Sequence, residues 1–321
     1  MAKPQEAVDF ADLLQKLPRH VLFGVLLVCS IVPLFLKMEI PTPPDQSSKD
    51  LYRTLMGLPE GSTVLLETDW TTSTRGENGG EFEDVIRILA ARNIKAAVYS
   101  AADPQAPQVA YDAIDNLNRV RKTKGLAPYA NWTDYVKVGF FADADATNQA
   151  MAQNVHKAFA GKTTMSPDGN MESVFNSPVL SKVQTDSDMS QFILITASST
   201  TTSAIGRLGG KLPMTFLVTG VMGPETLVYY ASHQLNGMCD GLKGVNDLEA
   251  LMQYGLNYPD AASAKIKDSS GVTVPPLNDG ITGGRGTAYY STLQFPLSLL
   301  VIAVIIGNLG MVLSKNRRSR A

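Results

Sequence analysis

Thr63–Trp70 reads TVLLETDW, Glu81–Arg92 reads EFEDVIRILAAR and Ile94–Ser100 reads IKAAVYS, and this succession decides the fold. The outer two are short apolar runs of strand length, while Phe82, Val85, Ile86 and Leu89 recur at helical intervals between them. Strand, helix and strand in that order read as a parallel pair joined by a crossover helix. The alternation continues outward. A helix over Pro107–Lys124, a strand over Tyr135–Phe141 and a helix over Thr147–Phe159 come next, followed by strands over Gln191–Ala197 and Met214–Thr219. Helices over Pro224–Gly237 and Asn246–Tyr254 close the series, separated by a glycine-rich break. The pattern predicts an α/β domain over residues 51–256, three-layered around a mostly parallel five-stranded sheet of Rossmann/flavodoxin-like type. Residues 161–190, rich in Ser, Asp, Gly and Pro, interrupt it as an excursion or lid.

Apolar runs flank this domain. Val21–Leu36, VLFGVLLVCSIVPLFL, predicts a first transmembrane helix over 21–38, and Leu293–Leu313, LQFPLSLLVIAVIIGNLGMVL, a second over 293–313. The lead of residues 1–20 carries Glu6, Asp9 and Asp12, and KMEIPTPP after the first run has no small-x-small pattern, so an uncleaved anchor is expected. Phe10, Leu13, Leu14 and Leu17 make that lead a candidate amphipathic helix. Residues 39–50 read as a Pro/Ser-rich stalk, 257–292 as a linker or hairpin, and 314–321 as a basic tail. Lys3, Lys16 and Arg19 before the first span, and Lys315, Arg317, Arg318 and Arg320 after the second, predict both termini in the cytoplasm and the large domain outside it. Within the second span, Gly307, Asn308 and Gly310 are candidates for helix–helix contact.

Composition removes several classes of function. Twenty-eight Lys and Arg against 30 Asp and Glu give a net charge of −2, which offers nucleic acid no attraction. The two cysteines, Cys29 and Cys239, exclude a disulfide scaffold and a cysteine zinc site. Cys239, the single thiol of the large domain, reads as buried and inert. Gly161-Lys162-Thr163 ends like a phosphate-binding loop, but His156 stands where its first glycine belongs and the string follows a helix.

In an open α/β sheet, sites gather beyond the carboxyl ends of the strands. Those ends deliver Asp69, Asp143, Asp145 and Ser198, the candidate catalytic residues. Paired carboxylates can act as acid and base or hold a hard cation, and they equally cap helices. Arg75 can clamp an anion or pair on the surface, and Ser199, Thr200 and Thr201 can present hydroxyls and helix N–H groups to an anion or cap a helix. No GxSxG turn accompanies Ser198, and neither His156 nor His233 stands in a pattern that ties it to a serine. Neither a metal nor a cofactor is expected.

The stretch GVMGPETLVYYASHQLNGMCDGLKGVNDLE, Gly220–Glu249, resembles the shared part of bacterial two-pass membrane proteins that have an extracytoplasmic α/β domain and no assigned activity. The resemblance implies a bacterial source and a non-catalytic role, and with two spans the expected location is the bacterial inner membrane. The leading expectation is a structural or accessory subunit that meets the bilayer and assembles with itself or with other membrane subunits. The alternative is an extracytoplasmic domain that binds or hydrolyses a ligand with the carboxylates and hydroxyls at its strand ends.

Overall fold

The computed structural model describes residues 18–36, 42–257 and 274–318. The chain divides into two compact units, Thr42–Gly286 and the combination of Met1–Pro41 with Thr287–Ala321.

Thr42–Gly286 is the α/β unit. Its strands β1 (Thr63–Asp69), β2 (Lys95–Ser100), β3 (Tyr135–Phe140), β6 (Gln191–Thr196), β7 (Met214–Val218) and β8 (Gly237–Asp240) form one sheet in the order β3-β2-β1-β6-β7-β8. Every pairing is parallel. A separate antiparallel hairpin, β4 (Thr163–Met165) with β5 (Met171–Ser173), lies in the insertion. The apolar helix α1 (Arg19–Leu36) belongs to the other unit. Around the sheet stand α2 (Gln46–Met56), α3 (Asn78–Ala91), α4 (Ala106–Thr123), α5 (Ala144–Met151), α6 (Val155–Ala158), α7 (Thr200–Leu208), α8 (Gly223–Ala231) and α9 (Gly241–Tyr254).

Period-two alternation splits the strand side chains between two cores. Val64, Leu66, Val98, Ile193 and Leu217 join α2, α3, α4 and α9, whereas Leu65, Tyr99, Phe192, Leu194 and Phe216 join α5, α6 and α7. Both faces are covered, which is why β1 and β6 are buried at every residue and read as near-continuous apolar runs. Each fully buried side chain such as Phe192 or Leu194 contributes roughly 1.5–3 kcal/mol.

Several expectations are corrected. The sheet has six strands, not five. The extra strand is β8, whose four residues GMCD take up the end of the helix expected over Pro224–Gly237, which stops at Ala231, and the start of the glycine-rich break after it. The segment read as the end of the stalk is helical from Gln46 and buries Ser48, Leu51, Tyr52 and Leu55. Helix and strand explain each other: a Cβ on Gly237 would fall 2.3 Å from Leu51 N and 2.4 Å from Leu51 Cα, so β8 needs glycine where α2 crosses it. Gly237→Ala is expected to cost about 1–3 kcal/mol by overpacking this contact. The urea midpoint of the full chain in mild detergent measures that loss. The helix expected over 147–159 is two, α5 and α6, because Asn154 ends one and caps the next by accepting Lys157 N–H at 2.8 Å.

The terminal unit differs from expectation as well. One helix, α10 (Arg285–Arg318), contains a stretch, Arg285–Val312, long and apolar enough to cross a membrane by length and composition. Among the described residues, the apolar part of α1, Arg19–Phe35, is shorter and at the lower limit for a span. Seventeen residues at the helical rise cover about 26 Å, against a hydrocarbon core of about 30 Å. Both helices expose large apolar side chains, Phe23, Leu27 and Phe35 on α1 and Leu300, Val304 and Leu309 on α10. The expected amphipathic helix over residues 8–17 and most of the linker before Val274 lie outside the described residues.

Candidate functional site

The chain winds from β1 outward to β3, then returns to β6 and winds the other way to β8. The helices after β1 and β6, α3 and α7, therefore pack on opposite faces of the sheet, which makes the carboxyl ends of these two strands the place where an open α/β sheet takes a ligand.

Asp69 ends β1 at this point and is 4% exposed. Its Oδ1 accepts from Ser100 Oγ at 2.8 Å, Ala101 N–H at 2.9 Å and Ala102 N–H at 3.2 Å, which fixes the turn after β2. Two residues earlier on the same face, Glu67 is fully buried and accepts from Tyr99 Oη at 2.9 Å. Burial first, and next the Asp69 carboxylate, push the Glu67 carboxyl well above the usual range, so Glu67 keeps its proton. Glu67 Oε1 and Asp69 Oδ2 have no hydrogen-bond partner among the described residues, and the two carboxyls lie close enough for one to act on the other. Trp70 follows at 1% exposure and packs against Phe82 of α3, with ring centroids 5.6 Å apart. The acid pair is thus closed off by the chain itself.

Beyond β6, Ser198 Oγ lies 3.1 Å from Thr196 Oγ1 and 3.4 Å from Thr200 Oγ1, which are 3.0 Å from each other. Ser199 stands at the N-cap of α7 without a side-chain cap bond, and Thr201 is fully buried with no partner for Oγ1. Asn78 ties the two sides together, donating to Glu81 Oε2 at 2.8 Å and to Thr196 O at 3.2 Å. Asp69, Ser198 and Thr200 therefore share one region, linked through Thr196, whose Oγ1 also reaches Asp69 O at 3.4 Å.

The other candidates lie elsewhere or are engaged. Asp143 is exposed and caps α5 through Ala146 N–H at 3.0 Å. Asp145, read as the cap, instead accepts from Arg207 Nε at 2.9 Å, Arg207 Nη2 at 2.6 Å and Ser203 Oγ at 3.2 Å, joining α5 to α7. The guanidinium holds the Asp145 carboxyl below the usual range. Arg75 lies beside Glu83, whose carboxyl burial raises against the pull of Arg285 and Arg75. Lys162 donates to Phe140 O at 2.6 Å and sits 3.9 Å over the Phe141 ring, a structural use of the residue that resembled a phosphate loop. Cys239 is 1% exposed, and burial pushes its thiol up. On α10, Gly310 is buried, Asn308 is exposed, and a Cβ on Gly307 would meet nothing within 4 Å. Among the described residues, no group of three His, Cys, Asp or Glu is placed to hold a metal ion.

This chemistry suits a carboxyl-rich joint better than an anion cradle. A dinucleotide site would offer free N–H groups from a glycine loop. Here Glu77 Oε2 takes the Gly220 N–H at 2.8 Å, Asp69 takes those of Ala101 and Ala102, and Glu81 fills the first turn of α3. Burial, as the largest cause, raises Glu81 well above the ordinary range. Below that range the folded and unfolded chains both hold the proton, and its stability contribution is complete. As pH rises, the unfolded chain ionises first and stability falls until the folded group ionises too. Glu81→Gln keeps an acceptor for Asn78 without the proton, so its thermal midpoint is expected to gain on wild type from pH 5 to pH 8.

Glu67 and Trp70 end the first apolar run together with Asp69, and their burial shows only in the fold. A second region also carried no sequence signal: a groove of about 540 Å³ beside edge strand β3, whose walls come from three separate segments. No family model matches the chain, and no curated protein or solved structure matches it.

Proposed function

We propose that this chain is a membrane-anchored accessory subunit whose α/β unit is held at both ends and assembles with itself or with other membrane subunits. The observation that carries the reading is how the unit grips the two segments that lead into and out of it. On the inbound side, Asp247 Oδ2 accepts the Asp45 N–H at 2.9 Å, and Lys243 Nζ binds Asp247 and reaches Pro43 O at 3.2 Å. On the outbound side, Arg87 binds Asp279 through two bonds of 2.8 and 3.0 Å and Ile281 O at 2.7 Å. Glu249 accepts the Gly286 N–H at 2.8 Å, and Arg285 reaches Glu83 at 3.2 Å. The inbound grip uses α9 and the outbound grip uses α3 and α9, and the chain continues from each toward an apolar helix. A domain that binds small molecules needs one tether, whereas a part that must keep its place in an assembly gains from two.

In this reading α1 also crosses the bilayer. Arg19 at its start can snorkel and the bilayer can thin to match an apolar stretch at the lower limit for a span. The basic residues beyond both helices put both termini in the cytoplasm and the α/β unit outside it, in a bacterial inner membrane. Extraction from the source membrane in mild detergent, followed by native mass measurement, tests the assembly. A stoichiometric complex or homo-oligomer is the expected result, and a monodisperse single chain overturns the proposal.

A further inference from the structure

The groove beside β3 has the parts of a small-molecule site. Its floor is the edge strand at Lys137, Val138 and Gly139, with Tyr111 of α4 beside it. Its walls are the Asn131-Trp132 turn and the β4–β5 hairpin with Ser166. Three buried polar atoms here make no hydrogen bond of normal geometry: Tyr111 Oη, Ser166 Oγ and Asn131 Oδ1. Tyr111 and Ser166 are 8% and 5% exposed, and the Gly139 backbone makes a loose hydrogen bond to Tyr111 Oη that leaves its O–H to donate. Leaving such groups unsatisfied is costly, so their gathering in one groove calls for a polar occupant.

The groove also holds a cation. Lys137 Nζ stands 4.7 Å over the Tyr111 ring and has no carboxylate partner among the described residues. Lysine ammonium, tyrosine hydroxyl and serine hydroxyl together are three donors, a set that fits an anion. The rest of the lining is apolar and adaptable: the Trp132 indole, Pro167, and the thioethers of Met165 and Met171, which are 59% and 63% exposed. Trp132 is held at φ +79°, a left-handed conformation rare for a bulky residue, with its N–H donated to Tyr135 O at 2.7 Å.

An added β-strand is a poorer fit. The β2–β3 register shifts between Val98 and Tyr99, so that Lys137 and Gly139 face successive residues of β2, and Gly139 has φ +94°. Such a bulge breaks the even ladder that an incoming strand needs.

The geometry points to a binding site for a small organic carboxylate with an apolar or aromatic body, its carboxylate on Lys137, Tyr111 and Ser166 and its body against Trp132 and the two methionines. The site is independent of the assembly reading and of the strand ends.

The full chain in detergent, titrated calorimetrically with phenylacetate, hexanoate and the neutral phenylacetamide, tests this. Trp132 fluorescence in a Trp70→Phe background gives a second readout, since these are the two tryptophans of the chain. Saturable binding of a carboxylate probe is expected, with phenylacetamide weaker by about tenfold or more and a similar loss in Lys137→Met. Ser166→Ala should weaken the same probe without changing its preference over the amide. The proposal is overturned by equal affinity for acid and amide, by binding unchanged in Lys137→Met, or by no saturation with either carboxylate up to on the order of 10 mM.

Discussion

Arg87→Ala is expected to cost the α/β unit about 3–5 kcal/mol, read as a lowered urea midpoint at neutral pH with the buried Trp70 as reporter. Arg87 is 5% exposed and meets two buried carboxyls, Asp279 through a bidentate pair and Asp84 at 3.4 Å. Removing the guanidinium leaves both without a cation in a site already crowded by Glu249. Burial and then Glu249 push the Asp84 carboxyl well above its usual range even with Arg87 in place. The loss should therefore shrink as the pH falls and the stranded carboxyls take up protons. Arg207→Ala is the contrast: its bidentate pair with Asp145 is about half exposed on both sides, and no measurable change in the midpoint is expected. The difference separates a buried joint that fixes the outgoing segment from a surface pair between two helices.

Trp70→Ala is expected to cost a similar amount, about 3–5 kcal/mol, by opening a cavity at the end of β1. Trp70 is one of the largest fully buried side chains and fills the space between β1 and α3 where an open α/β sheet would admit a ligand. Its Nε1–H has no partner, so Trp70→Phe, which removes that buried donor while keeping a ring against Phe82, should cost far less. Guanidinium unfolding of the two variants side by side measures the difference. Equal losses would mean that the indole N–H is satisfied after all and that the end of β1 is more open than described.

The parts of the fold that were legible in the sequence share one physical property. β1, β2, β6 and β7 are covered on both faces, so each carries consecutive apolar residues, and the runs stand out. β8 is four residues long, begins with a glycine demanded by α2 and ends in Asp240, so no run marks it. The start of α2 was hidden by the prolines just before it, which stop at Pro44 and leave Leu51, Tyr52 and Leu55 free to form an apolar stripe. Asp69 is the last residue of β1 and Ser198 lies two residues past the end of β6. Glu67 could not be read as the partner of Asp69, since a carboxyl inside a strand shows its proton only once its burial is known. The β3 groove was illegible for a different reason. Tyr111, Asn131, Lys137 and Ser166 meet only because the insertion folds back along the sheet edge, and no spacing in the sequence encodes that return.

The claim on which the account turns is that the α/β unit is held at both ends by segments that cross the membrane. Single cysteines introduced by Ala2→Cys, Lys182→Cys and Ser319→Cys, each in a Cys29→Ala background, test it with a membrane-impermeant maleimide on spheroplasts. Native Cys239, at 1% exposure, stays silent, and Lys182 is exposed on the α/β unit. The account predicts labelling at position 182 in intact spheroplasts and at positions 2 and 319 only after lysis. Labelling of positions 2 and 182 together before lysis, with 319 protected, would leave one span and contradict it.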